Sequence, residues 1–124
     1  MRQKTQTQEE DMKYPYKVEY LSIGSKQLPV LRLPKEIELV TAFLFSDVQS
    51  GGVVGDFYLS EIDLVLQGKA LHREIGGNAF VVEIQKDFTK LINTLTDGED
   101  VHECLIETAE LRELMEIWMN IKKD

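Results

Sequence analysis

Hydrophobic and polar residues first alternate beyond Tyr16, where Val18, Tyr20 and Ser22 take one side and Lys17, Glu19 and Leu21 the other. A period of two is that of a strand. Gly24-Ser25-Lys26 is turn chemistry, and Leu28-Pro29-Val30-Leu31-Arg32-Leu33 follows as a short partner strand. Pro29 cannot donate a ladder hydrogen bond, which predicts an edge position or a strand start. After Pro34 the period changes. Ile37, Val40, Phe43, Leu44 and Val48 recur at helical spacing, so a helix opened by Lys35-Glu36 is expected, with a strand left open by the β-branched and aromatic content. Gln49-Ser50-Gly51-Gly52 ends that element, and Gly51 to Gly55 reads as a flexible connector. Ser60 then predicts an N-cap, with Glu61 and Asp63 in the first turn and Leu59 and Leu64 at staple spacing. Ile62, Val65 and Leu66 would form that helix's buried face, and Gly68 its stop.

The stretch from Gly68 to Leu95 organises the rest. Gly76-Gly77-Asn78 is the best turn signal in the chain, with residue types that reach φ > 0 most cheaply. Beyond it Phe80, Val82 and Ile84 alternate with Ala79, Val81 and Glu83. A second turn at Lys86-Asp87 returns the chain through Thr89-Lys90-Leu91-Ile92, which predicts a three-stranded antiparallel meander. Thr96-Asp97-Gly98-Glu99-Asp100 reads as an acidic turn and Val101-His102-Glu103-Cys104-Leu105-Ile106 as a last strand. Thr108 is expected to cap a final helix whose apolar face is Leu111, Leu114, Met115, Trp118 and Ile121, with Trp118 packed onto the sheet. Glu107, Glu110, Glu113 and Glu116 fall on its opposite flank. The fold class is α+β: an antiparallel sheet of about five to six strands with a central meander, covered by about three helices. Residues 1–13, rich in Gln, Thr and Glu, are expected to form a disordered tail, and 14–124 a single domain.

Composition narrows the function classes. The formal net charge is −8, with 22 acidic against 14 basic residues. Such a surface repels nucleic-acid phosphates and anionic lipids and steers basic partners toward it, so neither nucleic acid nor membrane is an expected partner. No apolar run approaches the roughly 18–20 residues of a membrane span, and no signal peptide is legible behind Met1, which predicts a cytoplasmic protein. Cys104 is the only cysteine, so no intramolecular disulfide forms. It sits in an apolar run, where burial makes a thiol inert. His72 could neighbour it across the sheet, but two isolated histidines match no metal-ligand spacing. The glycines near Gly51 match no phosphate-binding fingerprint. No cofactor, metal or catalytic residue is expected.

The carboxylates remain. Asp47, Asp56, Glu61 and Asp63 come from one helix end, a glycine loop and a helix start, and folding could gather them on one edge. With Asp97, Glu99 and Asp100 they form the candidate surface for a basic partner. The same Asp47, Asp56 and Asp63 could instead serve a small metal-dependent enzyme, although EF-hand spacing is absent. A homo-oligomeric structural role is a third alternative, and monomer or homodimer is left undecided.

Several short blocks resemble small acidic immunity proteins of bacterial polymorphic-toxin and contact-dependent inhibition systems. They are Phe43-Leu44-Phe45-Ser46-Asp47-Val48, Tyr58-Leu59-Ser60-Glu61-Ile62-Asp63-Leu64-Val65-Leu66-Gln67-Gly68, Gly77-Asn78-Ala79-Phe80 with Val82-Glu83-Ile84, Asp87-Phe88-Thr89, and Ile106-Glu107-Thr108-Ala109-Glu110-Leu111 leading to Ile117-Trp118. The blocks cover about the last two-thirds of the chain. The resemblance implies a non-enzymatic inhibitor of a cognate toxin domain, often a nuclease with a basic cleft, acting inside the producing cell.

Overall fold

The computed structural model describes residues 13–49, 52–95 and 102–123. The expected tail lies outside them, except for Lys13. Strands β1 (Lys17–Ile23) and β2 (Lys26–Arg32) form an antiparallel hairpin through Gly24, whose φ of 63° suits glycine. Pro29 lies in this two-stranded sheet, where each strand is an edge, as a residue without an N–H requires. Helix α1 then runs through three geometries: a 3₁₀ turn at Lys35–Ile37, an α-helical stretch at Glu38–Phe43 and a π turn at Leu44–Val48. Helix α2 spans Val53–Leu66. Strands β3 (His72–Gly76), β4 (Phe80–Gln85), β5 (Phe88–Asn93) and β6 (Glu103–Glu107) pair in chain order as a four-stranded antiparallel sheet, and α3 (Thr108–Lys123) closes the fold.

Among the described residues, the α+β class, the six strands, the meander and the three helices are as the residue pattern predicts. The strands differ in one respect, being divided between two sheets of two and four.

Register fixes which side of the larger sheet is buried. Val82, Leu91 and Cys104 stand opposite one another on one face, as do Ile84, Thr89 and Ile106. All three helices cover this face. Phe43 of α1 meets Tyr58 of α2 and Phe80 of β4 edge-on, with ring centroids 5.2 and 5.7 Å apart. Trp118 is fully buried, and its indole N–H donates to the Gln49 carbonyl over 3.0 Å, so α3 is bolted to the end of α1.

Two helix starts differ from expectation. Helix α2 begins at Val53, not at Ser60, which is exposed in mid-helix. Val53-Val54-Gly55 reads as a connector because β-branched residues and glycine are weak helix formers. Tertiary packing overrides that. A Cβ at Gly55 would lie 2.3 Å from the Met119 sulfur, so the Met119 side chain of α3 packs directly on this glycine of α2. Thr108 is not spent on capping its own helix. Its buried hydroxyl donates to the Gln85 carbonyl at 2.5 Å and contacts the Thr89 hydroxyl at 2.8 Å. It pins α3 to the β4–β5 hairpin. Gly68, by contrast, ends α2 as foreseen: its φ is 77°, and the Lys69 N–H reaches back to the Leu64 carbonyl at 2.8 Å.

Candidate functional site

Asp47 is the residue the fold treats least like a surface carboxylate. The π turn directs it inward, where only 5% of it is exposed. Its Oδ1 accepts the Ala79 N–H and its Oδ2 the Phe80 N–H, each at 3.0 Å, and the Ser46 hydroxyl adds a third bond at 3.1 Å. The two backbone donors lie where the β3–β4 turn enters β4, so one carboxylate holds the turn onto α1. Burial, and then the Asp47 charge, push the Tyr58 hydroxyl up to about 12. Both Asp47 oxygens are therefore occupied inside the protein. The signal was present in the sequence: Asp47 falls four residues after Phe43 and three after Leu44, on the apolar stripe of α1.

The turn itself corrects a second expectation. Neither Gly76, Gly77 nor Asn78 has positive φ; the positive-φ glycines among the described residues are Gly24, Gly52 and Gly68. Gly77 is needed for space. A Cβ there would stand 2.4 Å from Asp47 Oδ2 and 2.9 Å from the Tyr58 hydroxyl.

The other described site residues make contacts of their own. Asp56 is exposed in the first turn of α2, where the helix dipole favours it. Glu61 pairs with Arg73 of β3 at 3.0 Å. Asp63 takes Arg112 of α3 through Nε at 2.6 Å and a second guanidinium nitrogen at 3.2 Å, while Arg112 also reaches Glu116 at 2.9 Å. The Asp63 hydrogen bond, followed by that of Glu116, raises the Arg112 pKa. Much of the charge along α2 is thus neutralised within the fold. Asp97, Glu99 and Asp100 lie outside the described residues. No group of three or more His, Cys, Asp and Glu side chains able to hold a metal ion occurs among the described residues.

The His72–Cys104 neighbourhood does not form. His72 is on β3 and Cys104 on β6, at opposite edges of the sheet with β4 and β5 between them. Burial pushes the Cys104 thiol up to about 11, which leaves little thiolate at neutral pH.

The sheet face turned away from the helices is the surface that residue spacing did not single out. Val81, Ile92 and Glu103 share one cross-strand row, and Glu83, Lys90 and Leu105 the next. Val81 and Ile92 are half-buried and Leu105 is exposed. Glu74 of β3 stands directly opposite Glu83 of β4 on the same face. The Lys90 ammonium reaches Glu103, 3.7 Å away. A different depression, about 460 Å³ between the β1–β2 hairpin and α1, mixes Leu21, Val30 and Phe45 with Arg32 and Glu38.

Comparison with known proteins decides the family. An immunity protein of Bacillus cereus is 40% identical over 113 residues, which span 91% of this chain and 92% of that protein. The chain belongs to that immunity-protein family. No family model matches it, and no solved structure matches it. At such coverage the match takes in the β1–β2 hairpin, which the block resemblance from Phe43 onward leaves without a counterpart. Within this fold Asp47 and Gly77 read as parts of the scaffold.

Proposed function

We propose that this protein is an immunity-type inhibitor that binds and neutralises a cognate toxin domain in the cytoplasm of the cell that makes both. It performs no catalysis of its own. The toxin domain presents a basic surface, as the phosphate-binding cleft of a nuclease does, and the net charge of −8 steers the encounter. The observation that carries this reading is the 40% identity to an immunity protein over nine-tenths of both chains. The acidic balance supports the basic character of the partner.

The test uses the toxin domain encoded beside this chain's gene. Co-expression should rescue growth from that domain, and calorimetry should give a one-to-one complex. Raising NaCl from about 0.05 to about 0.5 M should weaken association at least about tenfold, since the Debye length shrinks severalfold across that range. A wild-type chain that gives neither rescue nor a complex at low salt would overturn the reading.

A further inference from the structure

We propose that the face of the four-stranded sheet turned away from the helices is the toxin-docking surface, with Val81, Ile92 and Leu105 as its apolar centre and Glu74, Glu83 and Glu103 as its acidic frame. This rests on the inhibitor reading and adds to it where the partner binds and what that partner's surface carries: apolar side chains surrounded by Lys or Arg.

Three observations meet on this face. The helices pack on the other side, against Val82, Ile84, Leu91 and Ile106, so nothing among the described residues that builds the core needs the outer rows. Leu105 is 58% exposed between flanking strand residues, and Phe88 at the sheet end is 49% exposed, although alternation could have placed polar residues there. Finally, Glu74 and Glu83 are a directly opposed pair of like charges, an arrangement that destabilises a sheet. Neither makes an ion pair with a described residue: Lys90, opposite Glu83, turns to Glu103. A cationic group from outside would satisfy both.

The occupant follows from charge. A second copy would set Glu74, Glu83 and Glu103 against the same residues, and each copy carries −8. Nucleic acid and anionic lipid are repelled for the same reason. The chain's own first twelve residues hold Arg2 and Lys4 against Glu9, Glu10 and Asp11, so they supply no basic segment. A basic protein surface remains. Antiparallel strands spaced ~4.8 Å apart and rising ~3.4 Å per residue give this face roughly 15 by 17 Å, enough for the centre of an ordinary protein–protein interface.

The decisive variant is Glu74→Gln with Glu83→Gln. Removing the opposed charges should raise the melting temperature, yet weaken binding of the neighbouring-gene toxin domain by about tenfold or more. Leu105→Ala, at an exposed position, should also weaken binding by about tenfold or more without lowering the melting temperature. Asp56→Asn with Glu113→Gln should bind as the wild type does. If the wild type binds and the sheet variants bind equally well, the docking surface is elsewhere while the inhibitor reading stands. If the wild type does not bind, that reading fails and takes this one with it. A second arm needs no toxin. A twelve-residue peptide of alternating Lys and Leu, titrated at low salt into the ¹⁵N-labelled protein, should shift the amides of Val81, Glu83, Ile92 and Leu105 most. Shifts concentrated on α2 or α3 would overturn the assignment.

Discussion

At the scale of single residues, Asp47 shows how a carboxylate can be structural in an acidic protein. Its two oxygens accept one backbone N–H each, and an amide cannot reproduce that. Asp47→Asn turns an NH₂ group toward the N–H of either Ala79 or Phe80, leaving a donor facing a donor. The expected cost is about 2–3 kcal/mol, read as a lower urea midpoint with unchanged slope. Gly77→Ala attacks the same contact from the other side. Its Cβ would arrive 2.4 Å from Oδ2 of a carboxylate that three hydrogen bonds hold in place, so about 1–3 kcal/mol should be lost by the same measurement. If Gly77→Ala proves neutral, the turn has more room than this contact allows. Cys104 offers a check without thermodynamics: a thiol raised to about 11 should react with iodoacetamide at pH 8 far more slowly than a free cysteine does.

Among the elements, the sequence was most legible where one signal controlled one feature. Alternation at Phe80, Val82 and Ile84 placed β4 and its buried face, and the apolar stripe from Leu111 to Trp118 placed α3. Gly68 marked the end of α2 because a left-handed residue was required there. Legibility failed where two distant segments shared a contact. Gly55 in the first turn of α2 lies against Met119, and Thr108 serves the β4–β5 hairpin instead of its own helix; no local window contains either partner. The candidate site suffered in the same way at Asp63, which looks like a free charge until Arg112 is brought beside it. The β6–α3 junction holds another such pair. Glu107 accepts the Tyr14 hydroxyl at 2.7 Å and pairs with Lys13, and the Lys13 and then Tyr14 hydrogen bonds lower its pKa to about 2. A carboxylate depressed in this way stabilises the fold above its ordinary value near 4.5, and the contribution disappears as pH falls from there toward about 2. Because Lys13 is exposed, solvent screens the pair and the effect should be small. Glu107→Gln should therefore flatten the acid limb of the stability curve slightly and leave stability unchanged in shape above pH 5.

At the scale of the whole molecule, surplus negative charge has opposite consequences for folding and for binding. A net charge of −8 on 124 residues repels itself in the compact state, while a basic partner is drawn to it. Salt screens both interactions. Added NaCl should thus raise the melting temperature of the isolated protein while weakening its complex with the toxin domain. Ion pairs such as Asp63–Arg112 and Glu61–Arg73 oppose the first trend, because screening weakens them too, but exposed and half-exposed pairs are each worth only about 0–1 kcal/mol. On the proposed docking, the opposed Glu74–Glu83 pair would contribute to both responses, its repulsion relieved by salt in the free protein and by the partner's cations in the complex. In the Glu74→Gln, Glu83→Gln variant the two salt dependences should therefore shrink together. A variant that lost only the salt dependence of stability would show that the two glutamates repel each other without meeting a partner.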